Sequence, residues 1–381
     1  MKNLHPIMIG LVCYKYPLYD KGSYIQEFVD SMCNRSKGVV LLSTPYPNED
    51  FPRPKNLKIK WIKPLKFPFV YSLLFEIEVF VKALIYFRKV DIINVISARG
   101  SIAIWLAGKI LNKPVISTIE IINDYSGSIS DKVSHIFQKI VYGLKYEAII
   151  CWSNYYYEKY LLRWNVKSPE VQIIPGGINI ERFCPEIDGG EIRKKYPKDS
   201  ILVVFAKPMY EYNRRMAEFL LRAMKLLEKK INIHLLLGKG EQEEIIRRYI
   251  RDIGLEKKVD FMSFVPITEI PKYIAASDII ILPFTYEATT SRSLLESLAM
   301  GKAVITTKSG EVSRIVEDQT HALLVERDEE KVSLAIEKLH NNPKLMKTLG
   351  ENARKLIVKK YSIDVIAERT LKVYLKNINN R

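Results

Sequence analysis

Cysteine is scarce and unpatterned in this chain: Cys13, Cys33, Cys151 and Cys184 lie far apart, with neither metal-ligand spacing nor a disulfide framework. Ordinary reduced thiols are expected. No uninterrupted apolar run approaches the roughly 18 to 20 residues that cross a bilayer. The first apolar stretch, HPIMIGLVCYKYP, is short, carries a lysine and lacks a small-residue cleavage site, which argues against a secretory signal. A cytoplasmic protein is therefore expected, either free or peripheral on the cytoplasmic face of a membrane. The five histidines are dispersed, no Asp-x-Asp pair is placed to hold a metal, and no Gly-Lys-Ser/Thr phosphate loop occurs. Zinc-finger spacing, a basic zipper and an RNA-recognition aromatic signature are also missing, so nucleic acid is not the expected partner.

What is present is enough apolar sequence for two cores. At 381 residues and 48% apolar content the chain exceeds one ordinary domain and shows no sign of disorder. A net charge of +16 favours anionic partners. Part of that charge is concentrated in RPKNLKIKWIKPLK, Arg53 to Lys66, which alternates basic and apolar residues without one acid and runs into FPFVYSLLF. Two readings stay open for 53–75. One is a basic edge strand leading to a core helix. The other is an anionic membrane surface patch, with lysines at the headgroups and Trp61, Phe67, Phe69 and Tyr71 at the interface.

Continuous apolar runs alternate with longer amphipathic stretches along nearly the whole chain. IMIGLVCY, GVVLLST, VDIINVIS, KPVISTIE and YEAIICWS read as buried strands, and ILVVFAK, NIHLLLG, VDFMSF, ASDIIILPF and KAVITT repeat the scheme. Such strands, separated by helices, imply parallel sheets covered on both faces. The fold class is α/β, with two doubly wound Rossmann-like domains, 1–180 and 181–362, divided near the Pro- and Gly-rich PGGINIERFCPEIDGG. A final helix, 363–381, is expected to pack back on the first domain. Two such domains facing each other would bind ligands in the cleft at the carboxyl ends of their strands.

The most informative stretch runs from Ala276 to Thr307, ASDIIILPFTYEATTSRSLLESLAMGKAVITT. A strand ends near Leu282, a polar loop with Glu287 follows, and Ser291 or Thr290 can cap a helix carrying Glu296 one to two turns in. Free N–H groups at a helix start beyond a buried parallel strand suit a phosphate or a sugar hydroxyl. Glu296 shares its side of the helix with Leu295 and Ala299, and a sheltered carboxylate needs a partner. The residues alone leave open whether that partner is the protein itself or the ribose of a nucleotide. GKGEQEE, with Gly238 and Gly240, lacks the third glycine of a dinucleotide fingerprint and does not follow the first strand of its domain.

This stretch resembles the donor-site signature of the family 4 retaining glycosyltransferases, of GT-B fold. LLESLAMGKAVITT follows the family order of a glutamate, a small-residue turn, Gly-Lys and a strand, and SGEVSRIVEDQTHALLVERDEE continues it. Upstream, VQIIPGGINIERFCPE is similar to the family linker, and LEKKVDFMSFVPITEIPKYIAASDIIILP to the segment feeding the donor strand. The likeness covers the second domain almost completely and the first more loosely.

The resemblance implies a retaining, metal-independent sugar transfer from a nucleotide-diphosphate donor, a nucleotide-sugar serving as substrate and not as cofactor. It places Glu296 at the ribose and Glu287 at the sugar. It also places a basic pair at the diphosphate: Lys207, and Arg214 or Arg215, with Arg215 favoured by alignment to the following helix. Departures from the pattern are specific. Eight residues separate Glu287 from Glu296 where seven are usual, so strict alignment would put Ala288 in the first position. Thr289 and Ser291 replace the flanking glycines. Glu120 stands where many relatives have a histidine. Only Gly22, with Ser23 beside it, remains of a glycine pair before the first helix. These departures keep a second reading alive, a relative that binds nucleotide sugars or glycans without turning them over. The expected acceptor is a glycan, with the basic aromatic patch pointing to a lipid-linked one at a membrane.

Overall fold

A computed structural model describes residues 5–13, 23–45, 53–63, 71–122, 129–166, 168–205, 207–262, 265–287 and 290–380. The chain divides into two units, one formed by Met1–Gly177 with Ile363–Arg381 and the other by Ile178–Ser362. The first boundary thus falls three residues before position 180.

The first unit is built on strands β1 (His5–Cys13), β2 (Ser36–Ser43), β3 (Leu57–Trp61), β4 (Ile92–Ile96), β5 (Val115–Ile119), β6 (Ala148–Cys151) and β7 (Val171–Ile173). They form one sheet in the order β3-β2-β1-β4-β5-β6-β7, with every described pairing parallel. Strands β4, β5 and β6 are buried along their full length, as continuous Ile/Val runs require when helices cover both faces. On one face lie helix α1 (Tyr24–Cys33), which Ser23 caps by accepting from Gln26 N–H at 3.1 Å, and the final helix Ile363–Asn379. The last helix is locked to this sheet: Asn94 donates to the Tyr374 hydroxyl at 2.6 Å, and Arg35 pairs with Asp364 at 2.9 Å. On the other face lie α2 (Tyr71–Tyr86), α3 (Ser101–Leu111) and α4 (Ile129–Tyr142).

β3 is an edge strand, and its charges are partly used within the protein. Arg53 lies over the Trp61 ring at 5.8 Å, and Lys60 over the Tyr86 ring at 4.7 Å. The helix after it departs from the core-helix expectation, because α2 keeps a row of aliphatic side chains in solvent. Phe67 and Phe69 lie outside the described residues. Cys13, Cys33 and Cys151 are buried and Cys184 half-buried, all as free thiols.

The second unit contains β8 (Ile201–Phe205), β9 (Ile233–Leu237), β10 (Val259–Phe261), β11 (Ile279–Leu282), β12 (Ala303–Thr307) and β13 (Leu323–Val325), again all parallel, in the order β10-β9-β8-β11-β12-β13. The order reverses direction between β8 and β11, which is where open α/β sheets gather ligands at their carboxyl ends. Helix α5 (Glu211–Lys225) follows β8, and α6 (Arg292–Ala299) follows β11. No described helix is long and apolar enough to cross a membrane.

Candidate functional site

At the switch point of the second sheet the structure brings together Lys207, just past β8, and Glu296, on α6. The two are 89 positions apart in sequence and adjacent in electrostatic effect. Burial drives the Lys207 ammonium down to about 8, and the Glu296 carboxylate opposes that drop. The Lys207 Nζ also sits over the Phe284 ring at 5.3 Å. Glu296 is only 6% exposed and is held by Arg292, one turn earlier, whose Nε donates to Oε1 at 2.8 Å. Residue type and spacing did not reveal this i,i+4 partner in advance, although an Arg four positions before a sheltered glutamate is a readable signal.

The loop carrying Lys207 is shaped by the two glycines of GKG. A Cβ on Gly238 would stand 2.2 Å from the Lys207 carbonyl oxygen, and one on Gly240 would stand 2.5 Å from Met209 N. Met209 N–H donates to the Lys239 carbonyl at 3.0 Å, and Gln242 N–H donates to the Met209 carbonyl at 2.9 Å. Only residues without side chains allow this loop-on-loop approach. The segment that resembles half a dinucleotide fingerprint therefore has a different role, presenting the lysine.

Ser291 caps α6, its Oγ accepting from Leu294 N–H at 3.4 Å, and Thr290 is half-buried beside it. Ala288 and Thr289 lie outside the described residues. Glu287 is exposed, and its two oxygens have separate partners. Oε2 accepts from Gly310 N–H at 2.6 Å, and Oε1 accepts from Arg327. Its loop is stapled to β12 and the turn after it by three hydroxyls. Thr306 donates to the Leu282 carbonyl at 2.9 Å, Thr307 to that of Phe284 at 2.8 Å, and Ser309 to that of Tyr286 at 2.5 Å. The position of Glu287 thus depends on TTKSG and on Arg327, partners that the spacing of the glutamates does not reveal.

The two arginines on α5 behave differently. Arg214 is committed to its own helix, donating to Glu211 at 2.7 Å and also to Glu218. Arg215 is two-thirds exposed, with Glu211 at 3.5 Å.

In the first unit Glu120 is half-buried just past β5. Burial pushes its carboxyl up to about 7, and its charge is felt by Cys13 and Tyr142. A carboxyl in such a state gives up its proton near neutrality. Ser23 serves as the α1 cap, and Gly22 lies outside the described residues. Among the described residues no group of three or more His, Cys, Asp or Glu could hold a metal ion.

The model of the family "Glycosyl transferases group 1" matches residues 200–342, which include Lys207, Glu287 and Glu296. An uncharacterized glycosyltransferase of Methanocaldococcus jannaschii is 25% identical over 218 residues, 55% of each chain. The Escherichia coli UDP-Gal:alpha-D-GlcNAc-diphosphoundecaprenol alpha-1,3-galactosyltransferase is 21% identical over 241 residues, 61% of each chain. The chain spans about half to three fifths of the length of the curated relatives it matches. Among solved structures, sucrose-phosphate synthase from Thermosynechococcus elongatus superposes with a TM-score of 0.79 at 18% identity, over 99% of this chain and 100% of that one. Anabaena HepE in complex with UDP-glucose gives 0.78 at 14% identity, over 97% and 100%. These superpositions establish the GT-B fold, two Rossmann-like domains in one chain. The glycosyl transferases group 1 model thus falls on the second domain of a chain that has the GT-B fold.

Proposed function

We propose that this protein transfers a sugar from a nucleotide-diphosphate donor to an acceptor hydroxyl, holding the donor on its second domain. The observation that carries the reading is the meeting of a half-buried lysine and a buried glutamate at the switch point of that sheet. A cation placed there can meet the charge that develops on a departing diphosphate, and a fixed, preoriented cation stabilises that charge more in the transition state than in the ground state. In this reading Lys207 and Arg215 receive the diphosphate, and Arg214 supports them from the same helix. Glu296 accepts from the ribose hydroxyls, Glu287 from the transferred sugar, and Thr290 and Ser291 line the phosphate end.

Retention of configuration and independence of metal follow from the family resemblance. In that chemistry the bond from the anomeric carbon to the diphosphate breaks and the bond to the acceptor oxygen forms on the same face. The acceptor's proton passes to the leaving phosphate oxygen, so no protein nucleophile is needed, and the protein contributes position and charge. Glu120 is offered as a group that accepts from an acceptor or transferred-sugar hydroxyl, and the family resemblance offers Ser23 and Gly22 as further donor-binding residues.

A glycan acceptor, lipid-linked at a membrane, is supported by the basic surplus of the chain and by the lipid-linked acceptor in the name of the E. coli relative. One observation favours a second reading, binding without turnover: both oxygens of Glu287 are already engaged by Arg327 and Gly310. Thermal-shift titration with UDP, GDP and ADP tests donor binding, since a ligand of the native state raises its melting temperature. One nucleotide is expected to raise it in the native protein and not in Glu296→Ala. No shift with any of the three would overturn the donor site. Radiolabelled nucleotide sugars then separate transfer from binding alone.

A further inference from the structure

Helix α2 is apolar on both sides. Phe75, Val79 and Ala83 face the sheet at 0% exposure, while Leu73, Ile77, Val81 and Ile85, spaced four apart, form a single outward row between 48% and 62% exposed. A helix that is hydrophobic all round is a buried helix. The outward row of a solvated one would carry charge, and α2 carries none there. Its two acids are turned to internal work. Glu76 accepts from the N–H groups of Gly100 and Ala103, closing the start of α3, and Glu78 accepts from Lys63 N–H and from Lys82.

The row does not stand alone. Helix α3 packs against α2 and exposes Leu106 and Ile110, and α4, on the same face of the sheet, exposes Val133, Ile136 and Ile140. Helices α3 and α4 and the turn after α2 also carry exposed cations, Arg88, Lys89, Lys109, Lys132 and Lys139. Exposed apolar surface on neighbouring helices of one sheet face marks an interaction site.

From this arrangement we infer that the outer face of α2 and α3, extended by α4, docks on the surface of an anionic bilayer. Charge complementarity selects the occupant. Protein interface cores favour aromatic residues and arginine and are depleted in lysine, whereas here the exposed rows are aliphatic and four of the five accompanying cations are lysines. A second copy of the same face would bring like charges together across an isologous contact. Aliphatic side chains at the acyl boundary with lysines at anionic headgroups use both kinds of residue at once.

The inference moves the membrane contact from the basic strand before α2 to the helices themselves. It stands independently of the donor assignment.

Co-sedimentation with phosphatidylcholine vesicles, with and without phosphatidylglycerol, tests it on the full chain. The native protein is expected to bind only the anionic vesicles, and less so as salt rises. Ile77→Asp with Val81→Asp should cut the bound fraction by at least about fivefold, since both changes put charge where apolar contact is needed. Leu334→Asp, an exposed leucine of the second unit, should leave it unchanged. Should the double variant misfold, Arg88→Glu with Lys89→Glu is expected to remove the preference for anionic lipid. Equal binding to both vesicle types, or retention by the Asp variants, overturns the proposal. So does a dimer in light scattering that the Asp variants dissociate, which would assign the face to a second copy. Nucleotide-induced thermal shifts on the same variants report separately on the donor site.

Discussion

The two sheets of this molecule share one architecture and treat buried charge in opposite ways at their carboxyl ends. In the second unit Lys207 and Glu296 meet, and the Glu296 carboxylate offsets part of the cost of keeping Lys207 ionised away from water. In the first unit burial acts alone on Glu120 and raises it to about 7, so that it is largely protonated below neutrality. In the proposed donor site the protein's own charges stand ready for a charged ligand. A site that keeps a neutral carboxyl can exchange a proton, or donate a hydrogen bond, near neutral pH.

The largest effect that would sharpen this contrast is expected from Lys207→Ala. Loss of one preorganised charge at a developing anion lowers turnover on the order of a hundredfold or more. Nucleotide affinity in the native protein should also fall as pH rises through about 8, where the free amine loses its proton and binding must restore it. That dependence should vanish in the alanine variant. Turnover rates and calorimetric titrations between pH 7 and 9 would show both, and a variant with native turnover would break the contrast at its stronger end.

A smaller effect is expected from Glu120→Gln, read as stability against pH. An acid raised in the folded state holds its proton more tightly there than when unfolded. Its favourable contribution is therefore complete below about 4.5 and is lost as pH rises through about 7. Glutamine stays neutral throughout. The variant should gain on the native protein between pH 5 and 8, by about 1 to 2 kcal/mol, given partial access to solvent. Parallel denaturation curves with no pH-dependent gap would place Glu120 in water and end the comparison.

The smallest effect is expected from Arg327→Ala, which frees one oxygen of Glu287 while the Gly310 N–H keeps the other. A loss of a few-fold in kcat/KM fits an exposed ion pair that positions a loop carboxylate. The split between KM and kcat tells whether Arg327 orders Glu287 for the sugar or withholds it, since faster turnover in the variant would mean withholding.

Much of this was readable from residues alone. Strands such as IINVI and VISTI are continuous apolar runs that only a doubly covered sheet can bury, and Lys207 falls just past one such run while Glu296 falls in the helix that follows another. The three-residue strands β7 and β13 are harder to read, because β7 fully buries none of its residues and β13 fully buries one, Leu323. Arg292 was within reach of helical spacing. Arg327, the three hydroxyl staples on the Glu287 loop and the purpose of GKG were not, because each depends on which strand neighbours which. Gly238 matters only because β9 lies beside β8 and brings the Lys207 carbonyl to within 2.2 Å of where its Cβ would stand.

By itself, then, the sequence determined the α/β class, two parallel sheets and the residue types at the switch point of the second, since apolar periodicity and helix-start chemistry are local properties. Tertiary structure decided what those residues do to one another: that burial lowers Lys207 while Glu296 restrains the drop, that burial alone raises Glu120, and that α2 turns an aliphatic row outward. Electrostatic shifts and surface exposure are set by what packs from distant parts of the chain, and no stretch of sequence carries that information alone.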